Sequence, residues 1–397
     1  MYKRQVTLDL WAFNIGGFTE ASNWDTILAA FNEQHPDITV NVTPINYQDG
    51  DQKLTSAITS NSGPDIIFEG PERIVGNYAR EGLMVDLSDL WTESGSDIAE
   101  GISSVSQLDG TYYMYPLSVA AHCMAINYEV FEAAGALQYI DEETRTWSTD
   151  DFVAAMEAIK TAIDNGTVSL ATPGIVYCGA QRGDQGTRAL VNNLYSDYYV
   201  NEDGTSYNAT SANNVKALTL LQEMVNEGSL SANASYAAAD ELQAFANQTC
   251  AVTFCWNYSN YTQYAEQTQF TPFAMAFPSD DSQPELEMAG PYGFGVFDKG
   301  DEAKIEAAKT FIDFVCNDQT VGTEAVKTTG FFPVHADWGD VYAGDADADL
   351  RAPFALMSDY LGRYYNLTGG WTEQRARWWP MLAEILTTGA DPQPAAD

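Results

Sequence analysis

Histidine is scarce, at three residues, and lysine plus arginine number 18 against 56 aspartates and glutamates, a formal net charge of −38. A chain this acidic repels polyanions, which excludes nucleic acid and anionic lipid surfaces as general partners. An anionic ligand would need a local basic pocket, because exposed charges are screened beyond about 8 Å at physiological salt. No basic cluster supplies one: Arg375 and Arg377, with the isolated Arg73, Arg182 and Arg188, are the cations open to ligand work. The five cysteines (Cys123, Cys178, Cys250, Cys255 and Cys316) form no CxxC pair and no zinc-type spacing. They sit in apolar stretches, which reads as buried free thiols and no metal site, with a Cys250–Cys255 or other disulfide as the alternative. No run approaches the roughly 18 apolar residues of a membrane span, and the opening MYKRQ leads into a strand containing Asp9 rather than a signal segment. GxSxG, HExxH and GxxxxGK[ST] are all missing. Asp345, Asp347 and Asp349 begin like a calcium loop, but Leu350 and Leu356 stand where that loop needs glycine and glutamate.

What is present is apolar area and periodicity. At 397 residues and 45% hydrophobic composition the chain suits two domains, each with its own core. Val6 to Trp11 alternates as a strand, and Trp24, Ile27, Leu28 and Phe31 recur at helical spacing. Ile38, Val40 and Val42 alternate again, Leu54, Ala57 and Ile58 form a helical face, Gly63-Pro64 breaks it, and Ile66-Ile67-Phe68 is a short apolar strand. This is a βαβαβ order, which builds a parallel sheet with ligands beyond the carboxyl ends of its strands. The loops after the first and third strands, Phe13 to Glu20 and Glu69 to Arg73, are therefore the first candidates, with Phe13 and Asn14 among them. Later, Thr149 to Ala162 opens on an N-cap serine, Ser148, and starts a second α/β region; Ala251 to Cys255 and Phe294 to Phe297 read as strands, and Ala307 to Val315 as a helix. No long linker separates the regions, so several short crossovers are expected, an interwoven pair of lobes with a hinge.

The segment GPDIIFEGPERIVGNYAREGL, at 63–83, resembles the maltodextrin-binding branch of family 1 extracellular solute-binding proteins. HPDITVNV, LDGTYYMYPLSVAAHCMAINYEVF, AVTFCWNYSNY, GPYGFGVF, AAKTFIDFV and WWPMLAEILTTG resemble the same family in the same order, across nearly the whole chain. The resemblance implies an α/β, two-lobed clamshell of the type II periplasmic-binding-protein class, with residues 1–117 and 273–333 in one lobe and 118–272 and 334–397 in the other. It further implies a monomeric, non-catalytic receptor without cofactor or metal, holding a carbohydrate in the interlobe cleft and handing it to the permease of an ABC transporter. The location it implies is extracytoplasmic, as a lipoprotein whose lipid-bearing cysteine would lie upstream of Met1, or periplasmic.

Glu72 and Arg73 match the family's acidic and basic pair on sugar hydroxyls, although Pro71 and Glu72 also suit a helix start. Trp256, with Tyr258 beside it, matches the tryptophan that stacks on a sugar face; a buried core tryptophan is the alternative. Trp371, following Gly369-Gly370, and Arg375 resemble a late patch closing over ligand, with Trp378 and Trp379 as competitors for that role. Asp184 in the second lobe and Tyr292 within GPYGFG complete the candidates. Two departures change the expected sugar: Glu69 stands where the maltodextrin branch has an aromatic, and Ala120 where it has a carboxylate. A neutral saccharide of another linkage is the resulting expectation. The alternatives are a glycerol phosphodiester, which would want converging cations, and a hydrolase using Glu69 and Glu72 as the carboxyl pair that glycosidases hold about 5 to 9.5 Å apart.

Overall fold

The computed structural model describes residues 5–47, 49–179, 184–201, 206–281, 283–286, 288–362, 367 and 371–397. Arg182, Gly369, Gly370 and the side chain of Trp371 lie outside the described residues. The strands used below are β1 Val6–Phe13, β2 Ile38–Ile45, β3 Ile66–Glu69, β4 Tyr115–Ala121, β5 Cys123–Asn127, β6 Ile175–Tyr177, β7 Ser231–Asn233, β8 Val252–Trp256, β9 Pro272–Met275, β10 Met288–Val296 and β11 Phe332–Pro333. The helices are α1 Asp25–Gln34, α2 Gly50–Thr59, α3 Pro71–Arg73, α4 Thr149–Asp164, α5 Gln185–Leu194, α6 Ala238–Ala246, α7 Glu302–Asn317 and α8 Trp371–Ala383.

The chain divides into two compact units, Met1–Ala120 with Ala289–Ala348, and Ala121–Met288 with Asp349–Asp397. The crossings expected after residues 117, 272 and 333 fall after 120, 288 and 348. The second shift has a physical cause. Strand β9 pairs antiparallel with β5, Pro272 opposite Asn127 and Met275 opposite Met124, so this stretch completes the second unit's sheet.

In the first unit the sheet order is β11-β4-β10-β3-β1-β2. β1 runs parallel to both β2 and β3, as the βαβαβ reading expects, and β10 enters antiparallel to β3 with Gly293 opposite Glu69. The parallel strands end at Phe13, Ile45 and Glu69, so their carboxyl ends share one edge. Beneath the sheet, Trp24 stacks on Phe18 with centroids 4.0 Å apart and meets Phe68 edge-on at 5.8 Å, while Phe68 packs on Phe294 at 4.8 Å. These rings come from the turn before α1, from β3 and from β10. Aromatic burial therefore links elements distant in sequence.

The second unit has a three-stranded antiparallel sheet, β8-β5-β9, and a parallel pair, β6 with β7. Helix α4 begins as its N-cap signal indicates: the Ser148 hydroxyl accepts the Asp151 N–H at 3.0 Å. All five cysteines are buried and free. Strand β8 is buried along its length, and its pairing with β5 shifts register between Thr253 and Trp256. A shifted register leaves backbone groups to be satisfied by something other than the neighbouring strand. Here Glu241 of α6 serves: its carboxyl accepts the Phe254 N–H at 3.0 Å and the Thr253 hydroxyl at 2.7 Å. Burial dominates and pushes the Glu241 carboxyl up to about 8, against the lowering effect of those two bonds.

Two predictions follow from this packing. Trp24→Ala removes a fully buried indole and should cost about 3–5 kcal/mol, read as a lowered urea midpoint. Glu241, protonated in the folded chain but ionised above about 4.5 when unfolded, contributes stability that is full below 4.5 and lost as pH rises toward 8. Glu241→Gln keeps an acceptor for Phe254 and can donate to Thr253, so urea midpoints measured from pH 5 to 9 should lose this slope, worth a few kcal/mol.

Candidate functional site

Strand β3 is buried throughout and delivers Glu69 to its carboxyl end with 1% of its surface exposed. Gly70 follows, then Pro71 at the first helical position of α3, which turns the chain so that Arg73 lies one helical turn beyond Glu69. A Cβ at Gly70 would lie 2.6 Å from the Glu72 carboxylate, so glycine lets that carboxylate fold back over the helix start. Arg73 holds the group together. Its Nη1 donates to Glu69 at 3.0 Å and to Glu72 at 3.4 Å, and its Nε and Nη2 grip Asp51 of α2 at 2.7 and 3.0 Å. The guanidinium also lies over two rings, 4.8 Å from the centroid of Phe13 and 5.3 Å from that of Tyr47.

Burial raises the Glu69 carboxyl to about 7; Arg73 opposes the rise, Glu72 adds to it, and the Gly70 N–H and Tyr47 hydroxyl lower it. Tyr47, 40% exposed, stands 5.0 Å from Phe13 between ring centroids, so the group presents an open aromatic face over buried charge. Tyr292 is brought to the same place by strand register, because its neighbour Gly293 is paired with Glu69. Its ring stacks on Phe331 at 5.5 Å. Glycine is required at 293, where a Cβ would lie 2.2 Å from the Tyr115 carbonyl oxygen. Asn14, next after β1, donates its backbone N–H to Ile45, while among the described residues its buried Oδ1 has no partner.

The first-unit candidates Phe13, Glu69, Glu72, Arg73 and Tyr292 thus gather at the strand ends. Tyr47 and Asp51 belong with them and were not singled out from sequence. Their signal was available: Tyr47 lies two residues past the end of β2, at the same carboxyl edge as Phe13 and Glu69.

In the second unit the structure brings Asp184 and Arg375 together. Arg375 donates to the Asp184 carboxylate through Nη2 at 2.7 Å and Nε at 3.1 Å, and the Nε of Arg188 lies 3.5 Å from the other oxygen. Asp184 is thereby engaged by side chains of its own unit. Trp256, expected to offer a stacking face, is 0% exposed. It is the last residue of the buried strand β8 rather than the first of the following loop, and its ring meets Phe245 at 73°. Among the described residues its buried Nε1 has no partner, nor do Nδ1 of His122 and Oε1 of Gln185. Burial, then Arg188, holds His122 down to about 4, so its imidazole is neutral. Tyr258 is buried beneath the guanidinium of Arg351, 3.6 Å above its ring. Trp378, the competitor for the late patch, is a core residue donating to Thr187 at 3.2 Å.

Both units have an established counterpart. The crystal structure of the GacH receptor of Streptomyces glaucescens, in unliganded form and in complex with acarbose, superposes with a TM-score of 0.74 at 16% identity, over 99% of this chain and 96% of that one. UgpB from Mycobacterium tuberculosis, in complex with glycerophosphocholine, gives 0.75 at 18% identity over 98% and 95%. These likenesses establish the type II periplasmic-binding-protein fold. In sequence, a putative binding protein of Brucella abortus is 25% identical over 366 residues, 88% of this chain and 81% of its own length. Residues 26–352 match the model of the bacterial extracellular solute-binding proteins, and with most of its length so accounted for the chain belongs to that family.

Proposed function

We propose that this protein is the extracytoplasmic receptor of an ABC importer and that it binds a neutral mono- or oligosaccharide without altering it. The observation that carries the reading is the group around Arg73. Glu69, Glu72 and Asp51 surround a single guanidinium, beside the half-open ring of Tyr47. Carboxylates accept hydroxyl hydrogens and a ring covers a sugar's C–H face, which is the chemistry of a polyol. The same excess of carboxylate repels a phosphodiester, so a saccharide, as in the acarbose complex of GacH, is favoured over the glycerophosphocholine found in UgpB. Glu69 and Glu72 both bind Arg73 and serve here as hydroxyl acceptors rather than as an acid and a nucleophile.

The proposal needs nothing unusual in energy. One or two rings at roughly 1.5–3 kcal/mol, with hydrogen bonds at about 1 kcal/mol net, reach the ~8 kcal/mol of micromolar affinity after ordering costs. Calorimetric titration against a panel of neutral saccharides, with glycerophosphocholine included, is the test. At least one saccharide should bind at micromolar Kd, Tyr47→Ala should weaken it about tenfold or more, and chromatography should find the sugar intact after incubation. Binding of glycerophosphocholine alone would overturn the saccharide reading, and cleavage of any sugar would overturn the claim that it is unaltered.

A further inference from the structure

A second convergence of polar groups lies in the first unit, apart from the residues around Arg73. An isolated antiparallel bridge joins Ile98 to His335 and sets the preceding residue, Asp97, against the His335 ring. Nδ1 of His335 is 2.8 and 3.0 Å from the two Asp97 oxygens. The 3-10 turn Ala336–Trp338 then brings the Asp337 carboxyl round beside that of Asp97. One ligand atom from each of the three residues lies within 4.8 Å of the other two.

Three features distinguish this from a solvated acidic patch. The imidazole is only 5% exposed and is stacked on Trp338 with centroids 4.9 Å apart, so its direction is fixed by packing. Its Nδ1 faces the Asp97 carboxylate, and among the described residues its buried Nε2 has no partner. The two carboxyls lie close together, and among the described residues neither has a lysine or arginine to neutralise it. Carboxylates within 4.8 Å of one another repel, and a bound cation offsets that repulsion.

We propose that Asp97, His335 and Asp337 form a site for a divalent first-row transition-metal ion of the zinc class. One imidazole nitrogen and two carboxylate oxygens, without thiolate, are a donor set such an ion accepts, with water in the remaining position. Donors about 2.0–2.2 Å from a tetrahedral ion stand roughly 3.3 Å from one another, which the group reaches by opening the 2.8 Å Nδ1–Asp97 contact by about 0.5 Å and closing its widest separation, up to 4.8 Å, by about 1.5 Å at most. Asp337 is exposed and Asp97 partly so, which gives an ion access, while the buried imidazole supplies the fixed donor. Sequence spacing does not reveal the site because Asp97 and His335 are 238 residues apart. The ion would clamp together two segments that the Ile98–His335 bridge and the Asp97–His335 contact now join.

The test is calorimetric titration of tag-free, chelator-stripped full chain with zinc chloride, with melting curves alongside. One ion per chain should bind, and zinc should raise the melting temperature through linkage. Asp337→Asn and His335→Gln should each weaken zinc binding about tenfold or more. Asp337 is exposed, so its variant should retain the circular dichroism and melting temperature of the stripped wild type. Absence of saturable binding below millimolar zinc, or unchanged affinity in Asp337→Asn, would overturn the proposal. Calcium binding in preference to zinc would overturn the assignment to a transition metal.

Discussion

The pair formed by Glu69 and Arg73 is the contact on which the first unit's functional edge depends. A carboxyl delivered by a buried strand is costly without a partner, and removing one member of such a pair leaves an uncompensated group. Arg73 meets that need from one helical turn away. In doing so it recruits α2 through Asp51, β1 through Phe13 and the end of β2 through Tyr47. Four elements thus share one guanidinium. The opposite flank of β3 is held by β10, whose Gly293 lies across from Glu69 and approaches Tyr115 more closely than any side chain allows.

Much of this was legible in the sequence because it is local. Strand alternation and helical spacing located β1, α1, β2, α2 and β3, and the rule that ligands meet the carboxyl ends of parallel strands led to Phe13 and Glu69. The same rule would have reached Tyr47, just past the end of β2, but Asp51 was not legible, since its place beside Arg73 depends on how α2 packs rather than on period. Trp256 was misplaced by a single residue's worth of boundary, since whether it closes a buried strand or opens a loop decides if its ring is covered. The β9 segment was assigned to the wrong unit for a related reason: four residues of pairing with β5 outweigh any local signal. The group at Asp97 and His335 lay beyond reach altogether, as spacing rules assume donors close in sequence.

Three buried carboxyls illustrate how surroundings, not residue type, set chemistry. Asp184 lies among two arginines, Glu69 shares one arginine with two other carboxylates, and Glu241 has only a hydroxyl and a backbone N–H. Glu69 and Glu241 are both raised, to about 7 and about 8, each chiefly by burial. Arg73 tempers the first, whereas among the described residues nothing charged tempers the second. The first therefore stands poised near neutral pH at an open edge, and the second acts as a neutral strut beneath a shifted strand register.

The enclosure of Arg73 also bears on how a ligand would meet this edge. A free arginine side chain loses up to about 2 kcal/mol of rotamer entropy when held in one geometry. Here forked hydrogen bonds to Asp51, two glutamate contacts and two ring faces impose that loss when the unit folds. An arriving molecule would find the guanidinium already immobile, so none of its interaction energy goes into ordering that side chain. Preorganisation of this kind sharpens selectivity as well, because a rigid donor fork tolerates little error in where an acceptor is placed.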